Sequence, residues 1–181
     1  MKEVRDKRQA VVVLGFPGVT MSHPDRLALD LIQEACSDLG SRLFLRIRDE
    51  LGLAYYVGAQ HFAGLIPGYF CFYAGTEPDK VVRVKDEFFQ QIAALARDGL
   101  SEDELARAKA KWIGQRKIAR QELGHQAMTA ALDELYGLGF DYSERSDPRY
   151  EAVTRDEIRR CAQSYLREAA AVVAVLQPAS D

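Results

Sequence analysis

The stretch SRLFLRIRDELGLAYY, from Ser41 to Tyr56, passes from helix to strand within a few residues. Leu43, Ile47 and Leu51 recur at helical spacing, and Arg48 falls in the last turn. Gly52 closes the helix, because the residue just past a helix end often takes a left-handed conformation that glycine adopts without a Cβ penalty. A strand is predicted to open at once, at Tyr55. The corner brings a guanidinium and a phenol, 55 − 48 = 7 positions apart, towards one point. One is a fixed cation with a fork of donors, the other a neutral hydroxyl donor. Such a pair suits gripping the carbonyls of a peptide, or the oxyanion formed when one is attacked. Local preferences also account for both residues: a helix C-terminus favours a cation, and tyrosine is common in strands. Tyr55 and Tyr56 face opposite sides of a strand, so only one of them can join Arg48.

Outward from this corner the chain alternates strands and helices. Ala10-Val11-Val12-Val13-Leu14, before the turn-forming Gly15-Phe16-Pro17-Gly18, predicts a strand buried on both faces. Ser22-His23-Pro24-Asp25 starts a helix carrying Leu27, Leu31, Ala35 and Leu39. Tyr55 to Phe62 and Tyr69 to Thr76 form a predicted hairpin around a turn-rich connection. Thr76-Glu77-Pro78-Asp79 opens a helix with Val81, Val84, Phe88, Ile92 and Leu95 on its apolar face, ending at Asp98-Gly99. Ser101-Glu102-Asp103-Glu104 and Thr154-Arg155-Asp156-Glu157 both fit capping boxes. The first opens a helix with Leu105, Ala108 and Trp112 on one face, and helical composition resumes from Gln126 to Tyr136. The second leads through Ile158, Cys161, Ala162 and Tyr165 to a last strand, Ala171 to Leu176. The order β-α-α-β-β-α-α-α-α-β predicts an α+β fold, a small, mostly antiparallel sheet with helices packed on one face.

With 181 residues, 48% of them hydrophobic, the chain suffices for one well-buried domain, residues 1–181. A net charge of −3 argues against a general nucleic-acid binder. Its longest apolar run, Ala169 to Leu176, is far short of the roughly 20 residues that span a bilayer. Met1 to Arg8 carries charge without the apolar core of a signal peptide; a soluble protein is expected, cytoplasmic or periplasmic, with the compartment left open. Cys36, Cys71 and Cys161 have apolar neighbours and no metal-binding spacing, which predicts buried free thiols. Arg107, Lys109, Lys111, Arg116, Lys117 and Arg120 make one helix strongly basic, and a solvated face is expected. Trp112 lies on the apolar stripe and reads as core, while Asp133 and Glu134 have no partner of catalytic type.

Taken together, the motifs resemble the pitrilysin/insulinase family of zinc metallopeptidases, which includes the mitochondrial processing peptidases. The likeness runs through Gly40 to Phe44, Arg48 to Tyr55, Gly68-Tyr69-Phe70, Thr76 to Asp79, Leu100 to Lys109 and Val153 to Ile158, and so covers nearly the whole chain. Family catalysis resides in a His-x-x-Glu-His helix with a distal glutamate ligand. Here the histidines are His23, His61 and His125, and none begins such an element. Catalytic zinc takes about three protein ligands and an open position, and the spacing supplies no such set. The resemblance therefore implies the non-catalytic, C-terminal domain of a longer zinc peptidase, alone inactive. By it, Arg48 and Tyr55 bind a peptide or unfolded polypeptide substrate, and a zinc-binding catalytic domain, in cis or in a partner subunit, holds the metal. The family also has members that lost catalysis and serve as scaffolds, which gives the alternative implication. A ferredoxin-like binding module can be extracted from the element order, but the helical block from Glu102 to Leu138 is too long for it.

Overall fold

A computed structural model describes residues 9–178; the charged start, Met1 to Arg8, lies outside the described residues. Four strands form one sheet: β1 (Ala10–Pro17), β2 (Tyr56–Phe62), β3 (Tyr69–Thr76) and β4 (Val172–Leu176), in the order β2-β3-β1-β4 with every pair antiparallel. Six α-helices accompany it: α1 (Arg26–Ala35), α2 (Val81–Asp98), α3 (Glu102–Ala119), α4 (Leu123–Leu135), α5 (Asp147–Ala152) and α6 (Arg155–Tyr165). The α+β fold follows the sequence reading, and the structure adds that the last strand pairs with the first.

Period-two alternation explains the layering. Val12, Leu14 and Phe16 of β1 share a face with Phe70, Phe72 and Ala74 of β3, and all six are buried. On that face α2 lies over β1 with Val84, Phe88, Ile92 and Leu95 buried, and α1 lies over β2. Phe72 is the hub: its ring centroid stands 6.3 Å from Phe16, 5.2 Å from Phe70 and 5.9 Å from Phe88. Helices α3 and α6 pack behind α1 and α2. Both capping boxes form, with Ser101 and Thr154 each accepting from the backbone three residues on. All three cysteines are free and buried.

The other face of the sheet has no helix over it. The strand registers place Val11, Val13, Gly15, Tyr56, Gln60, Phe62, Tyr69, Cys71, Tyr73, Val172, Ala174 and Leu176 there, and not one is charged. Gly58 and Gly75 leave room for the rings of Tyr73 and Tyr56 to lie across the strands. This corrects the expectation for β1: Val11 and Val13 are half-buried, because only one face of the strand is covered. Helix α1 is likewise shorter than predicted, ending at Ala35 and leaving Leu39 72% exposed. Trp112 packs partly buried against the core, its ring 5.3 Å from that of Tyr150.

The basic helix is more than a solvated face. Arg120 grips Asp147 through two hydrogen bonds of 2.8 Å, and Arg116 donates to the Ser143 carbonyl. Lys111 pairs with Glu34 at 2.6 Å and Asp38 at 3.2 Å, and Lys109 donates to the Glu151 carbonyl. These cations tie α3 to α1 and to the α5 region; Arg107 and Lys117 stay exposed. Asp133 is buried for a structural reason, accepting from Ser143 N at 2.8 Å and Ser143 Oγ at 3.0 Å.

Across the N-terminus of α1, buried Asp25 accepts two hydrogen bonds from Arg160 and one of 2.8 Å from the Tyr165 hydroxyl. The Arg160 guanidinium is the main cause that holds its carboxyl down at about 2, against an ordinary 3.8. A carboxylate whose pKa is lower folded than unfolded stabilises the fold fully above the unfolded value and loses that contribution as pH falls through the folded one. Unfolding free energy is therefore expected to drop between about pH 5 and about pH 2. Asp25→Asn should remove about 1 kcal/mol of that dependence, a modest share because Arg160 stands half in solvent. Urea titrations at stepped pH on both proteins check it; parallel pH curves would refute the role given to Asp25.

Candidate functional site

The helix leading into the corner is wider than an α-helix. Phe44–Glu50 is π-helical, and Leu51 N donates to the Arg46 carbonyl five residues back at 3.2 Å. Single π turns are rare and are frequently found at functional sites. Ser41 Oγ accepts from Phe44 N at the entrance. Arg42 reaches Glu104 through two bonds, of 2.8 and 2.7 Å, fixing the entrance to the start of α3. Arg46 spans Glu50 at 2.9 Å and buried Glu87 of α2 at 3.1 Å. At the exit Gly52 has φ +58, the left-handed conformation expected of it.

Four contacts stitch the exit to the end of β3. Tyr55 N donates to the Gly75 carbonyl at 2.8 Å, and Thr76 Oγ1 to the Leu53 carbonyl at 2.5 Å. Lys80 Nζ donates to the Gly52 carbonyl at 3.3 Å, and the Tyr55 hydroxyl to Glu77 Oε1 at 3.3 Å. The backbone bond of Tyr55 begins the pairing, but β2 proper opens at Tyr56, one residue later than predicted, because Tyr55 sits in the bend.

Both candidate residues stand in solvent. Tyr55 is 54% exposed, and Arg48 is exposed with its guanidinium carbon 4.5 Å from the centroid of the Phe44 ring. Among the described residues the Arg48 side chain has no hydrogen bond or ion pair, so its donors are available, while its carbonyl accepts from Gly52 N at 3.1 Å. No wall closes over the pair. Two hollows lie away from the pair: one of about 510 Å³ between α3 and α4, bordered by Trp112, Arg116, Arg120 and Phe140, another of about 640 Å³ on the open sheet face. Hydrogen bonds at a water-exposed corner do little for a developing charge, and they strengthen when water is excluded.

The histidines do not converge. His23 Nδ1 accepts from Asp25 N, and His125 is exposed at the start of α4. His61 is buried, its Nδ1 2.7 Å from Asp30 Oδ1 and its Nε2 without a partner among the described residues. Asp30 also accepts from the Tyr150 hydroxyl at 2.7 Å, which makes the cluster a buried tie between α1, β2 and α5. Among the described residues no three His, Cys, Asp or Glu side chains stand where they could share a metal ion, so the residues present do not fit a zinc centre. No helix among them is long and apolar enough to cross a membrane.

The sequence profile of the peptidase M16 inactive domain matches residues 2–111. The chain belongs to that family. It is similar to an uncharacterized zinc protease of Streptomyces coelicolor, 29% identical over 164 residues that make up 90% of this chain and 36% of the relative. It is also similar to the uncharacterized zinc protease YmxG of Bacillus subtilis, 26% identical over 72% of this chain and 32% of the relative. The chain thus spans about a third of the length of these relatives. Among solved structures, a protease from Helicobacter pylori superposes with a TM-score of 0.87 at 18% identity, over 98% of this chain and 43% of that one. The peptidase M16 inactive domain from Pseudomonas fluorescens does so at 0.79 and 20% identity, over 96% of this chain and 42% of that one. These two likenesses establish a common fold.

Gly52 gives this M16 inactive domain a direct test of its corner. A Cβ on Gly52 would meet nothing within 4 Å, so Gly52→Ala costs only the left-handed backbone. The expected loss is about 1 kcal/mol. Gly114, inside α3 with equally open space, should respond the other way, Gly114→Ala gaining about 0.5–1 kcal/mol from helix propensity. Denaturant melts of the two variants check the pair; equal signs would contradict the left-handed exit at Gly52.

Proposed function

We propose that this chain is the substrate-gripping, C-terminal domain of a zinc-dependent metalloendopeptidase, completing an active site whose metal is held by another domain of the same polypeptide or by a partner subunit. The observation that carries the reading is the corner at Gly52. There a family member's Arg48 and Tyr55 stand exposed at the exit of a π-helical turn, and the Arg48 guanidinium has no hydrogen-bond partner among the described residues. Peptide-bond hydrolysis needs donors where negative charge develops on the scissile carbonyl. Zinc chemistry is the work of the other domain, because nothing among the described residues here fits the metal. Tyr55 donates a hydrogen bond to the developing oxyanion or to an adjacent backbone oxygen, and Arg48 holds a neighbouring carbonyl. Exposure of the corner agrees with this division, since only an opposing domain would dry the site.

Loss of one oxyanion donor costs on the order of 10²–10³ in turnover. Tyr55→Phe in the complete peptidase should therefore slow the reaction on that scale while barely moving its melting temperature. Arg48→Lys should fail as well, because an ammonium lacks the planar fork. Steady-state kinetics with parallel melting curves decide the matter, and near wild-type turnover in both variants would make the pair structural. A catalytically inactive scaffold is the second reading, favoured by the local ties both residues already have, Arg48 to Phe44 and Tyr55 to Glu77.

Taken alone, the chain is expected to cleave no fluorogenic peptide and to retain no stoichiometric zinc after dialysis. One tightly held zinc with chelator-sensitive turnover would overturn the assignment of the metal to another domain.

A further inference from the structure

The Tyr55 hydroxyl has one proton, and a nearby carboxylate competes for it through a long hydrogen bond. The hydroxyl points at Glu77 Oε1, 3.3 Å distant, and the same oxygen accepts from Lys80 Nζ at 3.0 Å. Lys80 is itself anchored on the Gly52 carbonyl. Glu77 lies just past β3, immediately after Thr76, whose side chain holds the Leu53 carbonyl. The carboxylate is thus fixed to the same frame as the phenol. With its proton aimed at Glu77, the phenol turns lone pairs outward and meets an arriving peptide as an acceptor. To donate to a carbonyl or an oxyanion it must first leave the carboxylate. An ionised acceptor holds a hydrogen bond about twice as strongly as a neutral one.

We propose that Glu77 is a positioning residue for Tyr55, one that keeps the phenol turned away from the substrate until a peptide oxygen replaces the carboxylate as acceptor of its hydrogen bond. The inference rests on the substrate-gripping reading above and adds a second residue to it. Arg48 has no such competitor among the described residues, so the two donors engage in order: the guanidinium takes a carbonyl first, and the phenol follows when a second oxygen is close enough to displace Glu77. Lys80 keeps the carboxylate in place and ionised, its hydrogen bond being the first cause that lowers the carboxyl below its ordinary 4.5. Lys80 and Tyr55 are the charged or titratable groups that act on it.

Glu77→Gln keeps shape and removes charge, so the phenol is released more easily. In the complete peptidase the expected result is a KM lower by about three- to tenfold, the order of one charge-assisted hydrogen bond against a neutral one at an exposed site. In a Tyr55→Phe background the same change should leave KM where it was. A merely structural Glu77 predicts the opposite sign, a looser corner with raised KM. A raised or unchanged KM, or an equal effect in the Tyr55→Phe background, overturns the proposal. A second measurement needs no turnover. With tyrosine labelled at Cζ, the Tyr55 resonance of this chain should move as falling pH protonates Glu77, below its ordinary 4.5 because Lys80 lowers it, and stay still in Glu77→Gln. A wild-type Tyr55 resonance blind to that titration overturns the proposal. Wild-type turnover of Tyr55→Phe would instead sink the gripping reading, while the labelled-tyrosine titration still judges the Glu77 bond.

Discussion

Antiparallel pairing of β1 with a strand on each side is the constraint on which the rest of the structure depends. β1 comes first in the chain, its neighbour β4 comes last, and its neighbour β3 closes the hairpin that carries the corner. All six helices are inserted between the first and the last strand, so the sheet is complete only when the far ends of the described chain meet. Pairing β4 with β1 therefore closes a long loop, an entropic cost that the contact must repay. The central pairing of β1 with β3 sets every alternate side chain of both strands against α2. That packing in turn fixes Thr76 and Gly75, to which the exit from Gly52 is tied.

Features that rest on neighbours in sequence were legible without the structure. Gly52 shows its left-handed exit in one residue, and the two capping boxes are visible in four residues each. Strand positions followed from β-branched runs and turns. What was not legible depends on partners far along the chain. The six cations from Arg107 to Arg120 look alike as a string, and only the fold shows that Arg120 meets Asp147 whereas Arg107 meets solvent. Val11 and Val13 read as fully buried because a β-branched run cannot say how many faces will be covered. Leu39 kept helical spacing beyond the end of α1, as apolar residues do by chance near helix ends.

For the site, the residue types and spacing at 48 and 55 pointed to the corner, and the motif resemblance pointed to its use. The π-helical widening was invisible, since no sequence pattern distinguishes a π turn from an α turn over seven residues. Equally hidden were Glu77 and Lys80: they belong to a stretch read as a helix start, and their bearing on Tyr55 arises only when the end of β3 folds back onto Gly52.

The open face of the sheet has a consequence for behaviour in solution. Four strands present tyrosine, phenylalanine and valine there without one charge, while the whole chain carries a net charge of only −3. Repulsion between copies reaches barely a Debye length at ordinary ionic strength, about 8–10 Å, and it is weak to begin with. Two molecules drifting together face on therefore meet little opposition. For the domain on its own, this uncharged surface is where adhesion between copies is to be expected, ahead of the charged helices.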